Sequence, residues 1–219
     1  MIHYLGELLG LVITSQESPA AFDLEEKVRL LSKARRSGDT ESGMNLKNLV
    51  GEMTTDQARA IAASFSLYFD LVNLAEENYR VQAIRQQELE NYPAPRRESV
   101  EEAILTLKQQ GVRTDQMQVL LDRLRIELVL TAHPTEAKRR TILSKMQRIA
   151  HIIYALNHED LLARELEELR QELLAEITAF WLTERARTDR PTVTDEVRTG
   201  LYFVEAVFWE VIPQILSDL

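Results

Sequence analysis

Between Thr54 and Glu90 the chain contains neither glycine nor proline, and apolar residues recur through that span at helical spacing. Ala58, Ile61, Ala62, Phe65, Tyr68, Phe69 and Val72 fall three or four apart, which lines one wide face of an α-helix and does not fit the two-residue repeat of a strand. Thr54 followed by Gln57 is a capping box that fixes the helix start. The scarcity of breakers is general, with 7 glycines and 6 prolines in 219 residues, so long helices are the default. Pro93 and Pro95 interrupt in the stretch NYPAPRRE. Ser99 with Glu102 then opens a shorter helix that Gly111 ends in a left-handed cap, and Thr114 is placed to cap the next. Tyr4 to Ile13 reads as a core helix. The segment from His158 to Arg187 puts leucines at 161, 162, 166, 169, 173 and 174 on one side, and with the helix before it forms an antiparallel pair joined near Asn157. A final helix is expected from Thr194, Asp195 and Glu196, with Tyr202, Val204, Val207 and Phe208 as its apolar surface. The alternating charges from Glu159 to Glu176 are read as a solvated face.

One segment departs from this pattern. Ile126 to Leu130 (IELVL) is too short for a helix and reads as a strand, and the ten residues after it, Thr131 to Arg140, are TAHPTEAKRR. Helical periodicity resumes from Ala137 to Tyr154, so His133 stands where a strand gives way to a helix. Pro134 suits a first turn that needs no amide proton, and Thr135 and Glu136 suit a helix start. Lys138, Arg139 and Arg140 add three cations within one turn of a helix N-terminus, whose own N–H groups favour phosphate or carboxylate. Taken by itself, a lone histidine at such a junction is more often a structural hydrogen-bonding residue than a catalyst. His151 and His158 lie seven apart without a carboxylate at zinc spacing, and His3 is terminal.

Composition narrows the function further. The formal charge is -9, which gives no counterion-release gain on DNA or RNA, so no nucleic-acid partner is expected despite Lys33, Arg35 and Arg36. Cysteine is absent, which removes disulfides and thiolate chemistry and fits a reducing compartment; a cytoplasmic location is expected. No stretch approaches the roughly 20 apolar residues of a membrane span.

The run TAHPTE, two further residues and Arg-Arg resembles the stretch of phosphoenolpyruvate carboxylase that holds a catalytic histidine. The likeness continues in order along the chain. LGELLGLVI and VRLLSKARRSGD resemble the family's opening helix and its turn rich in leucine, serine and arginine. ARAIAASFSLYFDLVNLAEENYR is similar to the next long helix, and FWLTERARTDRPTVTDEVRTGLYFVEAVFWEVIPQIL to a later segment with its Trp, proline loop and Val-Pro helix. Where that family reads Thr-Asp-Glu-Ile-Arg, this chain reads Thr183 to Arg187 as TERAR, so Thr183 and Arg187 alone carry over. The resemblance implies that His133 is a general base, and that Arg139 and Arg140, with Arg187, belong to an anion or sugar-phosphate site. It implies phosphoenolpyruvate and bicarbonate as substrates, Mg2+ or Mn2+ as cofactor without biotin, and a homotetrameric parent enzyme. The family is several times longer, and its metal carboxylates lie beyond the segments matched here, so an N-terminal piece that is inactive alone is expected, completed by the remaining catalytic domain of the same polypeptide.

The fold implied is mainly α: long packed helices with one short strand, Ile126 to Leu130, that would be the first strand of an incomplete α/β barrel. Residues 1–125 form an N-terminal helical region and residues 126–219 the start of the barrel region. Two other readings are a noncatalytic helical interaction module, whose exposed apolar faces associate with partners, and a phosphohistidine signalling domain. The second fits poorly, because phosphoaccepting histidines lie within a helix beside an acid, whereas Pro134 follows His133.

Overall fold

The structure, a computed structural model, describes residues 1–125, 127, 138–158, 160–184 and 192–218, without the side chains of His158 and Asp218. The helices are α1 (Ile2–Gln16), α2 (Pro19–Arg36), α3 (Thr40–Glu52), α4 (Thr55–Asn91), α5 (Val100–Gln109), α6 (Thr114–Arg123), α7 (Arg140–His158), α8 (Ala163–Trp181), α9 (Val193–Phe203) and α10 (Trp209–Asp218), the last two bridged by a π-helical turn, Val204–Phe208. The chain is thus mainly α. No strand occurs among the described residues, so the short strand expected over 126–130 is not borne out: Glu127 is irregular, and Ile126 and Leu128 to Leu130 lie outside the described residues. A single strand with no neighbour to bond has no ladder to join, and none of the described residues offers one.

Local sequence explains most of the boundaries. The Thr54–Gln57 box closes in both directions, with the Thr54 N–H donating to Gln57 Oε1 at 2.9 Å and the Gln57 N–H to Thr54 Oγ1 at 3.2 Å. Ser99 Oγ accepts from the Glu102 N–H at 3.1 Å, while the Glu102 carboxylate reaches back one residue further, to the Glu98 N–H at 2.7 Å. Gly111 takes φ +83°, as a left-handed cap requires. Three starts move. α6 begins with Thr114 as its first helical residue, and Arg113 is the cap, its N–H donating to Gln116 Oε1 at 2.9 Å. α9 begins one residue early, at Val193 with Thr192 as its cap, because Thr192 Oγ1 accepts from the Asp195 N–H at 3.3 Å and Asp195 Oδ2 accepts from the Thr192 N–H at 3.0 Å. α8 is confined to Ala163–Trp181, with the Leu162 N–H donating to Glu165 Oε2 at 2.9 Å.

The residues cluster into two units. The first takes residues 1–80 and 141–185 and contains a continuous core. Leu5, Val12, Leu67, Leu71, Ile149, Ile153, Leu173, Ile177 and Phe180 are all 0 or 1% exposed. On α8 the three are spaced four and three apart, one stripe facing inward. α1 packs against both α2 and α8, and α2 against α3. α7 and α8 both contribute to this core and are linked by an ion pair between Arg148 Nε and Glu176 Oε1 at 2.7 Å. Their connection begins after His158, one residue beyond Asn157, whose Nδ2 donates to Asn78 Oδ1 of α4 at 3.0 Å. The second unit takes residues 81–140 and 186–219. It buries no side chain among its described residues, and Leu120, Leu201 and Ile215 are each half exposed. No helix of the described residues is long and apolar enough to cross a membrane.

Candidate functional site

The candidate site centres on the start of α7. Arg140 is its first residue, exposed, and Lys138 and Arg139 precede it as irregular, half-buried chain. The helix thus starts three residues after the Ala137 expected from periodicity, so two of the three cations flank the helix end and one belongs to it. α7 carries no acidic residue in its first turn. Cations at the positive end of a helix oppose its dipole by about 0.3–1 kcal/mol each, a cost an anion bound there would reverse. Part of that cost is offset within the second unit. The Arg140 guanidinium carbon lies 5.3 Å from the centroid of the Tyr202 ring, which in turn meets Phe203 edge to face at 5.5 Å between centroids. A planar cation over an aromatic face at an exposed site contributes about 0.5–1 kcal/mol and fixes the plane in which its N–H fork points. Tyr202 is held by α9, whose start is set by the Thr192–Asp195 box and the more loosely associated Arg198, 3.8 Å from Asp195.

His133, with all of Thr131 to Glu136, and Arg187 lie outside the described residues, so Arg139 and Arg140 are the predicted site residues that the structure describes. Thr183 is described, and its hydroxyl donates to the Ala179 carbonyl at 2.6 Å, closing the end of α8. Of the other histidines, His3 lies 3.5 Å from Glu7 and His151 is exposed on α7. Sequence reasoning missed Tyr202 as a partner of Arg140: it was read as apolar surface of the last helix, and no spacing rule links positions so far apart. Among the described residues no three His, Asp or Glu side chains gather as a metal ion would require.

The comparisons with known proteins all point one way. The family model described as phosphoenolpyruvate carboxylase matches residues 1–219. The chain is 38% identical over 220 residues to the phosphoenolpyruvate carboxylase of Rhodothermus marinus, covering 100% of this chain and 24% of that protein. It is 37% identical over 220 residues to that of Thermus thermophilus, with the same coverage. Against that of Ectopseudomonas mendocina it is 37% identical over 215 residues, 98% of this chain and 24% of the relative. The chain therefore spans about a quarter of the length of the curated relatives it matches.

Proposed function

Because the chain belongs to the phosphoenolpyruvate carboxylase family, we propose that it is the His133-bearing part of an enzyme that joins phosphoenolpyruvate and bicarbonate into oxaloacetate and inorganic phosphate. What carries the reading is the family match along residues 1–219, with TAHPTE at 131–136 inside it. Bicarbonate is a poor electrophile. In this chemistry it first takes the phosphoryl group, giving carboxyphosphate and the enolate of pyruvate. Carboxyphosphate then gives up a proton and breaks into carbon dioxide and phosphate, and the enolate carbon attacks the carbon dioxide. An imidazole, with an unperturbed pKa of about 6.5, matches that proton transfer at neutral pH, and His133 is assigned the role. Water has to be excluded, since a stray proton would turn the enolate into pyruvate.

A divalent ion, Mg2+ or Mn2+, supplies charge stabilisation on the phosphoryl oxygens in such a reaction. The described residues do not fit it, and its ligands are assigned to the remaining catalytic part of a longer polypeptide. In this reading residues 126–219 open the catalytic region and residues 1–125 precede it, a functional division distinct from the two folding units. Arg139 and Arg140, with Arg187, are assigned to binding an anion, a sugar phosphate by the family's habit. The parent enzyme is assigned to the cytoplasm as a homotetramer without biotin, and the 219-residue chain alone is inactive. The phosphohistidine and interaction-module readings draw no support from the relatives.

The test is phosphoenolpyruvate-dependent oxaloacetate formation with bicarbonate and Mg2+, comparing this chain, the longer polypeptide, and the longer polypeptide with His133→Asn. Activity in the longer polypeptide alone, lost in His133→Asn, supports the assignment. Activity in the short chain, or full activity in the variant, refutes it.

A further inference from the structure

A groove of about 710 Å3 runs between α1, α2 and α4 within the first unit, in the size range of small-molecule sites. Its polar centre is Glu25. The residue as a whole is only 9% exposed, yet among the described residues its carboxylate makes no hydrogen bond and no ion pair, and it lines the groove. The cation that acts on it is already engaged: Arg29 donates from Nε and Nη2 to the two carboxylate oxygens of Glu26, both at 2.7 Å. Partial burial of the unpartnered carboxylate pushes the Glu25 carboxyl above its ordinary range, with Glu26 adding to the shift and Arg29 opposing it.

The groove carries aromatic side chains beside the charged Glu7, Glu26, Arg29, Lys33 and Arg36. Phe65, Tyr68 and Phe69 line the groove from α4, and the Tyr68 and Phe69 rings stand edge to face at 5.9 Å. Phe22 closes the α2 side by lying flush on α1. That approach depends on Gly10, where a Cβ would stand 2.8 Å from Phe22 Cε2. A carboxylate and aromatic rings lining one groove can recognise an organic cation, by a charge-assisted bond at one end and ring contacts along the other. Lys33 and Arg36, in the same groove but exposed on later turns of α2, repel a cationic head there, while Arg29, one turn from Glu25, has its charge paired with Glu26.

We propose that this groove is a binding site for a small organic ammonium ion, its head paired with Glu25 and its apolar body against Phe65 and Tyr68. The site is independent of the carboxylase reaction and needs no residue outside the first unit.

The test titrates the whole chain with phenethylamine, and separately with 2-phenylethanol, which has the same body and no charge, following backbone amide shifts. The amine is expected to move the amides of Phe22, Glu25 and Tyr68 saturably and to bind at least about tenfold more tightly than the alcohol, the worth of one hydrogen bond to a charged group. Glu25→Gln, which keeps the shape of the side chain, is expected to remove that advantage and leave the alcohol unchanged. The proposal is overturned if amine and alcohol bind the native chain alike, if neither saturates, if the shifts map away from the groove, or if Glu25→Gln binds the amine as the native chain does. The comparison of amine with alcohol on the native protein holds whether or not the variant folds.

Discussion

Replacing Phe180 by alanine removes a ring that is fully buried between α8 and the α1, α4 and α7 side chains of the first unit. The lost transfer energy and the cavity left behind together cost about 3–5 kcal/mol, a fifth or more of the roughly 5–15 kcal/mol that holds a domain folded. For a unit of this size each kcal/mol lowers the midpoint by about 3–5 °C, so a fall of about 10–20 °C is expected. The control is Phe69→Ala. That ring is 58% exposed, and its loss is expected to change stability by about 0.5 kcal/mol or less. The chain has 2 tryptophans, Trp181 packed against the core and Trp209 78% exposed. In a Trp209→Phe background, Trp181 fluorescence therefore reports the first unit alone, with far-ultraviolet circular dichroism as the second probe. If Phe180→Ala and Phe69→Ala shift the midpoint equally, or if Phe180→Ala costs under about 1 kcal/mol, the four-helix core described here is wrong.

Three further outcomes are expected. Gly38 ends α2 at φ +96° with open space around it, so Gly38→Ala costs about 1–2 kcal/mol from backbone conformation alone, whereas Gly43→Ala, inside α3 with only ordinary contacts to Arg35, gains about 0.5–1 kcal/mol; urea midpoints distinguish the signs. Glu25 has a raised folded-state pKa, so its ionisation opposes folding: Glu25→Gln should be more stable than the native chain at pH 7, with the difference vanishing as pH falls below the ordinary carboxyl range, and an advantage persisting at pH 3 would contradict this. In the longer polypeptide, Arg139→Gln with Arg140→Gln should weaken binding of a sugar phosphate such as glucose 6-phosphate by about tenfold or more, measured by calorimetry, and unchanged affinity would remove these arginines from the site.

The helices were legible where a local rule decides them. The long α4, its Thr54–Gln57 cap and the glycine cap at 111 follow from periodicity and from side chains that reach their own backbone. α9 starts one residue before the expected Thr194 because Thr192, with an acid three residues on at Asp195, is the cap. The interleaved units were not legible, since residues 1–80 and 141–185 are joined by core contacts that leave no local mark. TAHPTE pointed to the family but not to the geometry around His133. Glu25 was invisible for another reason: at the spacing of Phe22, Glu25, Arg29, Lys33 and Arg36, a sheltered carboxylate looks the same as one member of a solvated charged face.

The split composition of the first unit has a consequence for synthesis. Leu5, Val12, Leu67 and Leu71 leave the ribosome early, but the α7 and α8 residues that cover them follow only after about a hundred more residues, which at about 5–20 residues per second is a wait of about 5–20 s. During that interval α1 and α4 carry an uncovered leucine-rich surface, the kind of surface that chaperones hold and that neighbouring nascent chains can capture. Mutations that weaken α7 or α8 should therefore be felt first in yield of folded protein, before any loss shows in the protein that has already matured.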